Sequence, residues 1–297
     1  MKPKLISIVG PTASGKSDLA VILAKKFNGE VISTDSRQVY TGLNIGSGKI
    51  TKKEMMGVPH HLLDVISPKK VFTVADFKKL ADTKIKEILA RGHTPILCGG
   101  TGFYIDAVVD NILLPEVPPN PKLRLKLEKQ KLKTLQARLQ KLDPKRYKAI
   151  DQNNRVRLIR AIEIAEALGK VPQIKSKPLY KTLTIGTLWD PDALRERINL
   201  RLTKRIKAGM INEVRKLHAK GLSWKRLETL GLEYRYVALF LQNKITRAEM
   251  IERLQFEIWH YAKRQMSWFQ RNKKIHWMNT KQVQKIQKLT REFLVSK

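Results

Sequence analysis

The chain has 297 residues, with Lys+Arg 59 against Asp+Glu 26, a formal net charge of +33. That length buries an ample core, in one large domain or in a core with a smaller companion, and a hydrophobic content of 42% excludes a disordered basic tail. Cys98 is the single cysteine, which excludes an internal disulfide and a Cys/His zinc cluster, and no apolar run approaches membrane-spanning length.

The basic residues are spread along the whole chain. This favours a polyanionic partner, because positive charge strengthens phosphate contacts and speeds encounter. A general lysine bias gives the same composition, so charge alone favours nucleic acid only modestly. Met1-Lys2-Pro3-Lys4 leads straight into an apolar run, so no signal peptide and a cytoplasmic, reducing setting are expected.

That run, Leu5–Val9, reads as a buried strand. Gly10-Pro11-Thr12-Ala13-Ser14-Gly15-Lys16-Ser17 follows, a full match to the phosphate-binding loop pattern. Leu19, Ala20, Ile22, Leu23 and Phe27 then recur at helical spacing until Asn28-Gly29. Strand, glycine loop and helix are the context this motif needs. The glycines turn backbone N–H groups inward, the helix N-terminus adds partial positive charge, Lys16 adds a full one, and Ser17 can reach a magnesium ion.

Glu30–Thr34 is the second predicted strand, ending in Ser33-Thr34-Asp35-Ser36-Arg37-Gln38-Val39-Tyr40. The carboxyl end of a parallel strand beside the phosphate loop faces the ligand crevice. Asp35 there suits a general base or a magnesium partner, and equally a helix N-cap. His60 and His61 are adjacent, without the spacing of a metal pair, so a structural hydrogen-bonding role is expected. Thr73 with Asp76 three residues on opens a helix that Gly92 stops.

Thr94–Cys98 is the third strand, followed by Gly99-Gly100-Thr101-Gly102. Three glycines in four residues suggest close backbone approach to a ligand, with Thr101 offering a hydroxyl. A Walker-B acid is missing at this strand end, which weakens ATP hydrolysis as the main activity. Cys98 reads as a small buried apolar residue.

From Glu116 to Tyr180 the strand–helix alternation stops. Prolines 115, 118, 119 and 121 open this stretch and prolines 172 and 178 close it; it holds 17 Lys/Arg against 6 Asp/Glu, a net charge of +11. It reads as a helical insertion, dividing the chain into residues 1–115, 116–180 and 181–297. Within it, Arg157 and Arg160 fall three apart on one helix face. Leu183–Trp189 and Ile275–Met278 complete the strands; Asp190-Pro191 and the capping box Thr246–Glu249 open further helices. Tyr261-Ala262-Lys263-Arg264-Gln265-Met266-Ser267-Trp268-Phe269 mixes cations with aromatics, as either a base-stacking surface or an amphipathic helix.

Together these segments resemble the bacterial tRNA dimethylallyltransferase (tRNA isopentenyltransferase) family. The resemblance runs through GPTASGKS at 10–17, STDSRQVY at 33–40, NIGSGK at 44–49, VPHHLLDV at 58–65 and FTVADF at 72–77. It continues through GGTGFYI at 99–105, NRVRLIRAIEI at 154–164, RINLRL at 197–202 and AKRQMSWF at 262–269. It implies an α/β fold, a P-loop NTPase-like parallel sheet core covered by helices, with an inserted all-helical domain that grips the anticodon arm. It implies that the phosphate loop (Gly10, Pro11, Thr12, Ala13, Ser14, Gly15, Lys16, Ser17) holds dimethylallyl diphosphate and that the prenyl group passes to N6 of adenine 37 in tRNA.

The resemblance further makes Asp35 the general base. Lys16, Ser17, Thr101 and Arg201 (with Arg197 as the alternative) neutralise the leaving pyrophosphate with Mg2+, for which Ser17 is the protein ligand. Asp35, Ser36, Arg37, Gln38 and Thr101, then Arg124, and Val156, Arg157, Leu158, Ile159 and Arg160 match tRNA-contacting positions. A monomer free of membrane is expected. Two segments depart from the family pattern: Gly46-Ser47-Gly48-Lys49 stands where Gly-Thr-Ala-Lys is common, and Gly231-Leu232-Glu233-Tyr234 where Gly-Tyr-Lys-Glu is. A P-loop small-molecule kinase and an adenylate isopentenyltransferase are the alternative readings.

Overall fold

A computed structural model describes residues 2–173 and 176–296. Residues 1, 174–175 and 297, which fall within the three expected segments, lie outside the described residues.

Six strands form one parallel sheet: β1 (Lys4–Val9), β2 (Gly29–Ser33), β3 (His60–His61), β4 (Thr94–Gly99), β5 (Lys181–Thr187) and β6 (His276–Met278), in the order β3-β2-β4-β1-β5-β6. The five strands expected from apolar runs are present with ends shifted by one or two residues. β3 was not foreseen: two histidines carry no strand signal, and the pairing of Val31 with His60 and Ile32 with His61 is made from outside the segment.

Alternation along β1 explains the two helical layers. Ile6 and Ile8 face the helix Lys16–Lys26 through Leu19, Ala20 and Leu23. Leu5 lies in the opposite layer with Phe77, Ala81, Ile85 and Ile88 of the helix Val74–Ala90. All are essentially excluded from water, and each fully buried aliphatic side chain contributes about 1.5–3 kcal/mol. Thr73 and Asp76 make the expected capping box, as do Thr246 and Glu249 at the start of the helix Arg247–Phe269. Asp190 caps the helix Pro191–Lys207 with Pro191 at its first position.

The chain divides into two compact units, Met1–Asn111 with Pro178–Lys297, and Ile112–Lys177. The second has four helices and no strand among its described residues. Its core is small: Leu127, Leu135, Leu139, Leu158, Ile159 and Ile162. A unit this short leaves little margin, and one buried carboxylate adds to it. Glu163 accepts from Arg124 Nε at 2.9 Å and Nη2 at 2.7 Å, from the Asn120 N–H at 2.6 Å, and from Arg160 Nη1. Although burial opposes its ionisation, these donors hold the Glu163 carboxyl down at about 2.

The adjacent histidines make structural hydrogen bonds, as expected. His60 Nδ1 lies 2.9 Å from the Val58 carbonyl, and His61 Nε2 2.6 Å from the buried Glu30, which Arg91 and His93 also hold.

Candidate active site

In a parallel sheet the loops after the strands gather at one edge. Here those after β1, β2, β4 and β5 carry the chemistry. The phosphate loop bends through Gly10 (φ +144°), Ala13 (φ +62°) and Gly15 (φ +82°). Gly10 is required: a Cβ there would lie 2.1 Å from Thr187 Oγ1, at the end of β5. Ser14 Oγ meets the same Thr187 hydroxyl at 2.6 Å and donates to the Pro11 carbonyl at 2.8 Å. Trp189 Nε1 donates to Ser14 O at 2.8 Å and Arg197 Nε to Ala13 O at 3.0 Å, the Arg197 guanidinium lying 4.1 Å over the Trp189 ring. Arg197 thus braces the loop from outside.

The helix Lys16–Lys26 begins at Gly15 with no side-chain cap, so its first N–H groups remain for an anion. Lys16 Nζ donates to the Pro11 carbonyl at 2.5 Å. Burial of the ammonium lowers its pKa to about 8, with nearby Arg201 pushing the same way and Cys98 and Asp35 opposing. Burial conversely pushes the Cys98 thiol up to about 12, which fits an inert packed residue.

Asp35 uses its two oxygens differently. Oδ1 accepts the backbone N–H of Arg37 at 2.8 Å and of Gln38 at 3.3 Å, capping a turn rather than a helix. Oδ2 has no hydrogen bond of this kind among the described residues. Beside it, Thr101 Oγ1 accepts the Ser36 N–H at 3.1 Å.

The glycines after β4 correct an expectation. Added Cβ atoms would meet the protein itself: Thr34 Oγ1 at 2.3 Å from Gly99, Gln265 Nε2 at 2.0 Å from Gly100, and Trp268 Cδ1 at 2.2 Å from Gly102. The close approach is to the β2 end and to the helix Arg247–Phe269, whose Gln265 and Trp268 pack against them. Of the expected stacking surface, Trp268 is committed by its Nε1 donating to Asp106 Oδ2 at 3.0 Å. Gln265, only 6% exposed, ties two site loops together: it donates to Gly100 O at 2.9 Å and accepts the Thr12 N–H at 2.8 Å.

Arg201 on the helix Pro191–Lys207 donates from Nη2 to Gly48 O at 3.3 Å. Burial and the neighbouring Arg205 lower its pKa to about 10, while Glu233, Asp35 and Asp18 counteract. A cavity of about 300 Å³ opens here, lined among others by Thr12, Asp35, Ser36, Arg205, Glu233 and Tyr261. Thr187 had no role assigned from sequence; Glu233 stood only in a segment that departs from the family pattern, and Tyr261 only in a stretch of mixed cations and aromatics. Gln265 stood inside a quoted motif, but nothing in its spacing marked the loops it joins.

The expected tRNA-contacting residues separate. Arg37 Nε donates to Leu230 O at 2.5 Å, and Gln38 sits between Ser33 Oγ at 3.1 Å and Gly48 O at 3.4 Å. Val156 and Arg157 are exposed. Leu158 and Ile159 are instead core residues of the helical unit, because alternate faces of one helix cannot all reach a ligand. Arg124 and Arg160 are held by Glu163, and Arg160 Nη2 also donates to Val117 O at 2.8 Å, so neither guanidinium is wholly available to RNA.

No cluster of three or more His, Cys, Asp or Glu that could hold a metal occurs among the described residues. A hydroxyl at the first helical turn, exposed Ser17, fits Mg2+, which keeps several waters and takes most remaining ligands from substrate phosphates.

The IPP transferase family model matches residues 38–272. The chain is 44% identical over 276 residues to tRNA dimethylallyltransferase 1 of Syntrophus aciditrophicus, covering 91% of this chain and 90% of that protein. Among solved structures, the tRNA isopentenylpyrophosphate transferase of Bacillus halodurans superimposes with a TM-score of 0.76 at 38% identity, covering 99% of this chain and 97% of the other. A eukaryotic dimethylallyltransferase acting on tRNA gives a TM-score of 0.86 at 26% identity, covering 98% and 79%. With a matched segment spanning well over half its length and relatives this similar end to end, the chain belongs to the IPP transferase family.

Proposed function

We propose that the protein transfers the dimethylallyl group of dimethylallyl diphosphate to N6 of adenine 37 in tRNA, releasing pyrophosphate. The observation that carries this is the joint placement of Lys16, Arg201 and Asp35. Lys16 opens the helix after the phosphate loop, Asp35 follows the end of β2 at the same sheet edge, and Arg201 reaches Gly48 O from the helix Pro191–Lys207, so a cationic cradle and a carboxylate flank one site. Displacement at an allylic carbon needs a stabilised leaving group rather than a nucleophilic side chain.

The diphosphate lies on the N–H groups of the phosphate loop and the uncapped helix start, against Lys16 and Arg201. Ser17 would hold Mg2+ together with the substrate's oxygens; when bound, the ion adds Lewis-acid neutralisation of the departing pyrophosphate. The adenine, taken out of its stack, enters the cavity beside Asp35. As the N6–carbon bond forms and the carbon–oxygen bond to the diphosphate breaks, Asp35 takes the N6 proton on the oxygen not engaged by Arg37 and Gln38. Thr101 keeps the Asp35–Ser36 turn in place.

The helical unit, with its excess of Lys and Arg, receives the anticodon arm, and exposed Arg157 is its best-placed phosphate contact. One chain carries both the phosphate loop and this unit, which supports action as a monomer in the cytoplasm, where tRNA and the diphosphate are both present. Incubation with Mg2+, dimethylallyl diphosphate and unmodified tRNA tests the reading: one prenyl addition should map to the adenosine at position 37. ATP consumption stimulated by a small hydroxylated substrate, with no change in tRNA mass, would support a kinase instead. Prenylation of free adenylate alone would support the adenylate isopentenyltransferase.

A further inference from the structure

The two segments that depart from the family pattern meet in space. Gly48 has φ +59°, and a Cβ on it would lie 1.6 Å from Arg205 Nη2 and 2.5 Å from Arg201 Nη2. Two guanidinium groups therefore crowd against one glycine. Arg201 donates to the Gly48 carbonyl and Arg205 Nη1 to the Gly46 carbonyl, both at 3.3 Å. Like charges held side by side away from water repel strongly unless an anion is near.

Glu233 is the carboxylate placed to meet them: burial raises its pKa, and Arg205 and Arg201 both favour its charged form. Its Oε1 lies 2.9 Å from Arg205 Nη1, both side chains are largely buried, and both residues line the cavity that holds Asp35 and Thr12. Two backbone features seat it: Gly231 turns the chain at φ +78° and Leu232 follows at φ +38°, opening the helix Leu232–Leu241. Tyr234, next along, donates to Glu213 Oε1 at 3.0 Å, and Glu213 in turn accepts the N–H groups of Asn44, Ile45 and Gly46. The loop carrying Gly48 and the turn carrying Glu233 are thus fastened to each other independently of the arginines.

We propose that Glu233 is a positioning residue for prenyl transfer: it anchors Arg205, and the anchored Arg205 keeps Arg201 seated at Gly48 beside the phosphate loop. The proposal rests on the reading that Arg201 meets the diphosphate. Gly48 is its counterpart, since a side chain there would displace the same two guanidinium groups. Glu233 touches no reacting atom in this arrangement. Its main effect passes through Arg205 to the leaving group, so it falls on turnover more than on recognition of tRNA, although both residues line the cavity that takes the adenine.

Glu233→Gln in the full-length protein removes the charge and keeps the shape. With saturating tRNA, kcat should fall about ten-fold while the KM for tRNA stays within about two-fold. Glu233→Asp should recover part of the loss. Gly48→Ala should lower kcat in the same way. The double variant should lose less than the product of the single losses, because both changes act on one arginine pair.

Fully multiplicative losses would overturn the proposal. So would a Glu233→Gln protein with a lower melting temperature but unchanged kcat per folded molecule, and so would an effect confined to the KM for tRNA. If Glu233→Gln does not fold, unchanged kcat in Gly48→Ala overturns it by itself. A wild-type protein that prenylates no tRNA defeats the reaction assigned above, and this is seen before any variant is made.

Discussion

Gln265 joins Thr12 to Gly100: one amide side chain accepts the N–H of the phosphate loop at 2.8 Å and donates to the carbonyl after β4 at 2.9 Å. Gly100 has no room for a Cβ beside the amide. Gln265→Leu should leave both backbone groups unpaired, at about 1–3 kcal/mol each where water cannot reach them. The expected result is a lower melting temperature together with a raised KM for dimethylallyl diphosphate. A variant with reduced stability and an unchanged KM would separate the bridge from the site.

Asp35 can be dissected one oxygen at a time. Asp35→Asn keeps an acceptor for the Arg37 and Gln38 N–H groups and loses only proton acceptance. Turnover should fall about 10²–10⁴-fold with tRNA affinity nearly unchanged. Asp35→Ala should add a stability loss of roughly 1 kcal/mol from the missing cap. Single-turnover kinetics and thermal melts of the two variants measure the two parts separately.

Lys16 links binding to pH. Its pKa in the free protein is lowered from 10.5 to about 8, so the charge is complete well below pH 8 and fades above it. The KM for dimethylallyl diphosphate should therefore rise as pH passes about 8. Lys16→Ala should have a high KM at every pH, and a pH profile that persists in that variant would assign the titration elsewhere.

Arg157 and Arg160 share a helix and should behave differently. Arg157→Ala should weaken tRNA binding and reduce the salt slope by up to about one unit for one lost phosphate contact. Arg160→Ala should chiefly destabilise the helical unit, because it strips a partner from buried Glu163. Binding titrations at several salt concentrations, beside hydrogen exchange over residues 112–173, distinguish them.

Glu163 sets the acid limit of that unit. Its folded pKa of about 2 lies below the ordinary 4.5, so its stabilisation is complete above about 4.5 and is lost as pH falls toward 2. On the order of 3 kcal/mol is at stake. Hydrogen exchange within residues 112–173 should accelerate across that window in the wild type, and much less in Glu163→Gln, which is already weakened at neutral pH.

The sheet and its phosphate loop were legible because their signals are local. Apolar runs mark β1 and β4, a glycine pattern marks residues 10–17, and caps such as Thr73–Asp76 lie within one turn. The parts that escaped depend on residues distant in the chain. Nothing near Thr187 announces that its hydroxyl meets Ser14, and nothing near Gly99, Gly100 and Gly102 says that their neighbours are Thr34, Gln265 and Trp268 rather than a ligand. Arg160 likewise looked like an open cation until Glu163, one turn away and buried, claimed it. Periodicity reveals which face a residue takes, and it is silent about what waits there.

The central strand has a consequence for synthesis on the ribosome. β1 ends at Val9, whose carbonyl receives the Thr187 hydroxyl 178 residues later, and its whole β5 side stays unpaired until that segment emerges. At typical translation speeds the wait is on the order of ten seconds or more. Through that interval an apolar strand edge is open to any chain that can pair with it. The helical unit, made in between, lengthens the exposure by its own 66 residues. A nascent chain of this design therefore has good reason to be met by a chaperone before its phosphate loop can close.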